Sequence, residues 1–409
     1  MTISRAYKYR LYPKPDQFPF LSRHFGSCRF VYNHFLDLRE KSCAAGTPLS
    51  GFACKRMLPS LKEEHPWLKE INSQSLQQSV LTLELAYRGF FKGLGKHPVF
   101  KSKHGRQSFR VPQHLSIRGN CLYIPKMKTA LKMKLHRPVA GEIKSCTISR
   151  TPSGKFFVSF AVEQEIDTSS RNASLPAASN VEGYDLGLVN FTTSSSGEKV
   201  ETPKFLRKSL GKIEKLQRSV SRKKKGSKNR DKARIRLARC HEHIANQRSD
   251  FLHKQSRKAV DENQVLCLED LNVKGMMLYG RLGLSVGDAA LGEFVRQVSY
   301  KALWSGKRIA RIGRFYPSTK TCSECWLVND HLMLNDREWT CRHCGTVHDR
   351  DHNAAKVIKT VGQDLPEVTP AEKRTSVFSM KGMRRRSKKA QAPGDDTSTS
   401  VKQEAKASR

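Results

Sequence analysis

FYPSTKTCSECWLVNDHLMLNDREWTCRHCGTVHDRDHNAA, residues 315–355, holds two C-x-x-C pairs, Cys322 with Cys325 and Cys341 with Cys344, separated by fifteen residues. That double spacing matches a four-thiolate zinc ribbon. Each pair sits on a tight turn that directs both sulfurs at one ion, and the stretch between the pairs is long enough for a short hairpin. A redox C-x-x-C needs only one pair, and four unconnected buried thiols leave the double spacing to chance. Seven residues beyond Cys344 stands Asp351, in HDRDHNAA, where acids, small residues and an amide crowd at the start of a closing helix. A carboxylate held there by a metal-pinned scaffold is a candidate ligand for a second, catalytic metal.

The 409 residues suffice for two or three domains, and lysine plus arginine number 75 against 37 acids, a formal net charge of +38. Such a surplus exceeds what solubility calls for and points to a long polyanion as partner; a generically basic ribosomal or histone-like protein is the bland alternative. No apolar run approaches the roughly 20 residues that cross a bilayer, and MTISRAYKYRLYP lacks the apolar core of a secretory signal. The chain therefore reads as intracellular, with no membrane partner. Cys28, Cys43, Cys54, Cys121, Cys146, Cys240 and Cys267 have no framework spacing and read as reduced thiols.

Working outward, residues 5–12 (RAYKYRLY) alternate with period two and predict a half-buried strand with a cationic face. Helical rhythm follows over 18–40 and again over 73–91, where Leu76, Val80, Leu83, Tyr87 and Phe90 form an apolar stripe. Gln74, Gln77 and Gln78 near the start of that second helix are amides that can read base edges. Residues 92–113 read as a basic loop in which cations such as Arg106 and Arg110 suit phosphates and Phe100 and Phe109 suit base stacking. Short alternating runs over 115–165 predict a small antiparallel β domain that the N-terminal strand joins, and 166–180 (IDTSSRNASLPAASN) reads as the domain boundary.

Beyond it, a strand ends at Asp185, an acid that is expensive to bury unless paired or liganded. Residues 203–260 predict a basic helical hairpin whose turn carries Lys223, Lys224 and Lys225, suited to a phosphate backbone. The apolar strand 265–268 ends at Glu269 and Asp270, where open α/β sheets place their ligands. A helix over 291–303 and a strand over 308–315 lead into the cysteine segment. Asp185, Glu269 and Asp351 thus stand where one sheet could converge them, and a carboxylate and water ligand set suits magnesium.

In this order, GYDLGLVNF, LCLEDLNVKGM, LGEFVRQVSYKALWSG, the double C-x-x-C and HDRDHNAA resemble the RuvC-type nuclease core of the TnpB proteins, relatives of the type V CRISPR effectors. RLYP, CRFVYNHFL and LELAYRGFFK extend the resemblance over nearly all of residues 1–360. It implies an α/β plus β fold. An N-terminal β-barrel-like domain (1–165) with a helical insertion (about 18–113) would precede a linker (166–180). An RNase H-like RuvC α/β nuclease domain (181–361) would follow, with the zinc ribbon (about 316–348) inserted.

The resemblance further implies an RNA-guided endonuclease that cuts double-stranded target DNA beside a short adjacent motif, acting as a monomer with its guide (omega) RNA in the bacterial or archaeal cytoplasm, at the nucleoid. Asp185, Glu269 and Asp351 would be catalytic ligands of a two-ion magnesium site, Asp349 and Asp270 supporting acids, and Cys322, Cys325, Cys341 and Cys344 the ligands of structural zinc. The chain departs from the family pattern at Trp326, where many relatives have glycine, and at Ser73 and Gln74 in the motif-reading helix, so the adjacent motif does not carry over. The presence of all three acids argues against the alternative, a nuclease-inactive RNA-guided DNA-binding regulator. Residues 362–409 read as a disordered basic tail.

Overall fold

Alternating burial of Ile3, Tyr7, Tyr9 and Leu11 makes β1 (Thr2–Tyr12) the spine of the N-terminal half. The computed structural model describes residues 2–165, 180–278, 280, 282–333 and 335–365. Helices α1 (Phe18–Ala44), α2 (Gly51–Arg56), α3 (Leu58–Glu64) and α4 (Ser73–Phe91) come next. Strands β2 (Gln107–Val111), β3 (Ser116–Arg118), β4 (Cys121–Tyr123), β5 (Leu131–Lys134), β6 (Glu142–Arg150) and β7 (Phe156–Glu165) then complete a seven-stranded sheet. Its order is β2-β6-β7-β1-β5-β4-β3, with β1 antiparallel to β7 along its length, from Thr2↔Glu165 to Leu11↔Phe156. The core lies between this sheet and α1 and α4, where Phe25, Phe35, Leu76 and Leu83 meet Tyr9, Val158 and Phe160.

Three expectations need correction here. Among the described residues no ladder joins β2 to β3, so the sheet is open in its hydrogen bonding rather than closed into a barrel. The helical insertion stops short of residue 113, because 107–111 is an edge strand paired with β6. Phe109 belongs to that strand and is 3% exposed, packed 4.9 Å from His24 and 5.3 Å from Phe25. It is a core residue and is not offered to a base; Phe100 is exposed.

The second sheet contains β8 (Val181–Asp185), β9 (Asn190–Ser194), β10 (Lys199–Glu201), β11 (Val265–Glu269) and β12 (Arg308–Ile312), in the order β10-β9-β8-β11-β12. The first three form an antiparallel meander, and β11 runs parallel to both β8 and β12. Between β10 and β11 rise α5 (Phe205–Ser221) and α6 (Lys228–Glu262); α7 (Val273–Leu278), α8 (Gly283–Ala289) and α9 (Leu291–Trp304) separate β11 from β12.

VLCL in β11 is apolar throughout because both faces are covered. Leu266 and Leu268 pack with Leu252 and Val260 of α6 and Phe294 and Val298 of α9, while Val265 and Cys267 face Ile358 of the last helix, α10 (Arg350–Gln363). Glycine permits that helix to lie close: a Cβ on Gly183 would stand 2.2 Å from the Ala355 carbonyl oxygen. Just before α10, β13 (Glu338–Thr340) and β14 (Val347–Asp349) pair as a two-stranded ribbon.

The Arg5 guanidinium 4.3 Å over the Trp304 ring and a 2.8 Å Lys155–Glu242 ion pair join the two sheets' layers, and all the described residues fall in one unit, 1–368. Of the expected tail, 362–365 are described and α10 continues to Gln363; residues 366–409 lie outside the described residues, as does the boundary segment 166–179.

Candidate active site

Parallel pairing of β8 with β11 aligns Tyr184 with Leu268, so the next residues, Asp185 and Glu269, emerge side by side at the carboxyl ends of neighbouring strands. Tyr184 and Leu268 turn toward α6 and α9; by the two-residue period of a strand, the acids turn toward α10. Asp351 lies in the first turn of α10, where the helix dipole favours a negative charge.

Glu269 and Asp351 both act electrostatically on Asp185. The Asp185 carboxyl is pushed up from 3.8 to about 7 by burial first, then by the charges of Glu269 and Asp351, with Arg350 opposing. Burial also raises Glu269, against a hydrogen bond donated by Ser318 Oγ to its Oε1. Asp351 accepts from Asn190 Nδ2 at 3.4 Å and lies 3.6 Å from both Arg337 and Arg350.

Asp349 is otherwise engaged: Lys199 lies 2.6 Å away, and its side chain caps α10 by accepting from the His352 N–H at 2.9 Å. Asp270 pairs with Arg314 at 3.1 Å.

The four cysteines close more tightly than the carboxylates. Cys322, Cys325, Cys341 and Cys344 are the one group of three or more His, Cys, Asp or Glu among the described residues whose ligand atoms all lie within 4.8 Å of one another. Sulfur separations of 3.7 Å (Cys322–Cys344) and 3.6 Å (Cys325–Cys341) approach the edge of about 3.8 Å that follows from a tetrahedron of about 2.3 Å Zn–S bonds.

Each pair forms the turn of its own hairpin, rather than the two pairs flanking one. Thr321 bridges Val328 around the first pair, and β13 meets β14 around the second. The knuckles repeat each other: Cys322 N–H donates to Leu327 O and Cys341 N–H to Thr346 O, both at 2.9 Å. Gly345 adopts φ 73° after the second pair, and Trp326 adopts φ 63° at the equivalent place after the first. The Thr346 hydroxyl, 3.3 Å from Cys344 Sγ, holds that thiol down to about 6.

The residues expected at nucleic acid fall in three places. Gln78, Arg106 and Arg110 line one cleft of about 530 Å³ between α1, α4 and β2, beside Arg29 and Lys101. Arg110 is held there by Ser145 Oγ at 2.9 Å. Gln74 lies outside the cleft lining and donates to Gln113 at 2.9 Å; Gln77 is half-buried on α4. Lys223, Lys224 and Lys225 occupy the turn between α5 and α6, Lys223 bent back onto Ser219 and the other two exposed. Arg234 of α6 reaches His104, in the loop that borders the cleft, at 3.4 Å.

A profile of the OrfB_IS605 family, described as "Probable transposase", matches residues 159–279, and one described as "Cas12f1-like, TNB domain" matches 292–358. A Streptomyces pristinaespiralis protein provisionally named RNA-guided DNA endonuclease is 39% identical over 367 residues, covering 88% of this chain and 90% of its own. The chain belongs to the TnpB family. A second TnpB relative, the provisionally named RNA-guided DNA endonuclease InsQ of Escherichia coli K12, is 31% identical over 380 residues, 88% of this chain and 92% of its own. The solved Cas12f1–sgRNA–target DNA complex aligns with TM-score 0.52 at 11% identity over 88% of this chain and 99% of that one, a likeness of fold. A further OrfB_IS605 profile, described as a helix-turn-helix domain, matches residues 1–47, within which the described residues form β1, a short 3₁₀ turn and the single long helix α1.

Sequence reading missed Ser318, Asn190, Arg337 and Arg350 around the carboxylates. Their only signal is proximity in sequence to the acids or cysteines, and polar residues near such positions are common.

Proposed function

We propose that this chain is an RNA-guided DNA endonuclease of a transposon, with Asp185, Glu269 and Asp351 as its catalytic carboxylates. One observation supports the reading: Asp185 and Glu269 end neighbouring parallel strands, and the charges of Glu269 and Asp351 add to the burial that pushes the Asp185 carboxyl up to about 7. Carboxylates that repel each other in a half-buried cluster form a site for a hard divalent cation. The oxygen-only donor set fits magnesium, and a pair of such ions, when bound, supplies charge stabilisation for phosphodiester hydrolysis. The protein's own part is to hold the three acids at the strand and helix ends, with Asn190, Arg337 and Arg350 orienting Asp351 and Ser318 orienting Glu269.

The cysteine cluster takes structural zinc. The meander and two parallel strands are read as an RNase H-like RuvC core over 181–361, after an N-terminal domain over 1–165. Guide RNA and double-stranded target DNA are the partners of the basic cleft and of the α5–α6 turn, with Gln74, Gln77 and Gln78 toward the adjacent motif. The protein works as a monomer in its ribonucleoprotein, in the cytoplasm of a bacterium or archaeon. Among the described residues, no helix is long and apolar enough to cross a membrane.

The test is cleavage of a plasmid carrying a matched target by the protein purified with its native RNA. Linearisation in magnesium, with Asp185→Ala binding the target but leaving it intact, is the expected result. A wild-type complex that binds target yet cuts in neither magnesium nor manganese overturns the proposal.

A further inference from the structure

We propose that the cysteine ribbon braces the active site, with Ser318 and Asn353 as positioning residues that tie Glu269 and Asp351 to the first cysteine knuckle. The inference rests on the reading of the three carboxylates as a divalent-cation site.

Ser318 is 3% exposed and donates its hydroxyl to Glu269 Oε1. It is held in a turn that runs directly into Cys322: the Thr321 N–H and hydroxyl both reach back to the Pro317 carbonyl, at 2.9 and 2.8 Å, and the Lys320 N–H joins them at 3.0 Å. Asn353, two residues beyond Asp351 on α10, is 2% exposed and spans the same knuckle. Its Nδ2 donates to the Thr321 carbonyl at 2.7 Å, and its Oδ1 accepts from the Ser323 N–H at 2.9 Å. Thr321 and Ser323 flank Cys322 on either side.

One short segment, from Ser318 to the first cysteine knuckle, therefore holds Glu269 directly and, through Asn353, the first turns of the helix that carries Asp351, although these come from a strand and a helix far apart in the chain. The third acid, Asp185, takes a backbone N–H from Leu186. Buried donors so placed fix the direction in which a carboxylate presents its oxygens, and removing such a partner typically weakens metal binding about 10–100-fold. A ribbon serving only to admit substrate would not require its first knuckle to be tied both to Glu269 and to the helix turn that carries Asp351.

The experiment measures manganese binding, by calorimetry and by electron paramagnetic resonance, to the full-length chain purified with its RNA, with zinc content determined in parallel. Ser318→Ala and Asn353→Ala are expected to weaken manganese binding about 10-fold or more with zinc stoichiometry unchanged, and Ser318→Thr, which keeps the hydroxyl, to restore it. Cys344→Ser, which loses zinc, is expected to weaken manganese binding as well. The inference is overturned if Ser318→Ala, zinc-loaded, binds manganese as tightly as wild type. Should Asp185→Ala itself bind manganese like wild type, the carboxylate reading fails instead, and the two failures are distinguishable.

Discussion

Replacing Asp185 by asparagine keeps its shape and removes a charge that burial first, and then Glu269 and Asp351, disfavour, so the metal-free protein should become more stable. The carboxyl titrates near 3.8 when unfolded and at about 7 in the folded chain. Below pH 4 both states carry the proton and the group costs nothing. Between pH 4 and 7 the unfolded chain has released its proton and the folded chain has not, so wild-type stability falls as pH rises through this window and levels off above it.

At about 1.36 kcal/mol per unit, the shift corresponds to about 4 kcal/mol. Asp185 retains partial solvent access, which screens part of that, and we expect about 2 kcal/mol. The assay is denaturant unfolding of zinc-loaded wild type and Asp185→Asn at pH 5, 6, 7 and 8 without magnesium, read as the difference between the two proteins so that other titrating groups cancel. Asp185→Asn should be the more stable protein at pH 8, the advantage should shrink toward pH 5, and magnesium should stabilise wild type alone. A difference that is absent at pH 8, or independent of pH, refutes the reasoning.

Trp326→Gly should relieve the left-handed backbone after the first cysteine pair, worth about 1 kcal/mol, and slow zinc release to a chelator; faster release would show that the indole holds the knuckle together. Gly183→Ala forces a methyl against the Ala355 carbonyl, so α10 must shift; a loss of about 3 kcal/mol or more, with cleavage abolished, is expected in unfolding and plasmid assays. Paired substitution of the exposed Lys224 and Lys225 by alanine should weaken RNA binding uniformly across sequences and reduce the slope of log affinity against log salt by about 1.5 to 2.

Much of the architecture was legible because it rests on short-range patterns. The cysteine spacing marked the ribbon, period-two alternation marked β1, β6 and β7, and the stripe from Leu76 to Tyr87 marked α4 at its observed limits. Segments without a pattern were misread: Phe109 stood among lysines and arginines and looked exposed, until pairing of β2 with β6 buried it against Phe25. The short helices α7 and α8 lack a periodic stripe and left no sign.

Residue identity and spacing also supplied the candidate chemistry, since an acid closing an apolar strand is costly to bury unless paired or liganded, and thiols in double register suit one metal ion. Whether those acids share a site is a question of non-local geometry. The parallel register of β8 with β11 sets Asp185 beside Glu269, and the close seat of α10 on Gly183 brings Asp351 toward them. Hydrogen bonds from Ser318 and Asn353 across 49 and 32 residues are likewise invisible along the chain, because a donor and its acceptor are matched by folding and not by spacing.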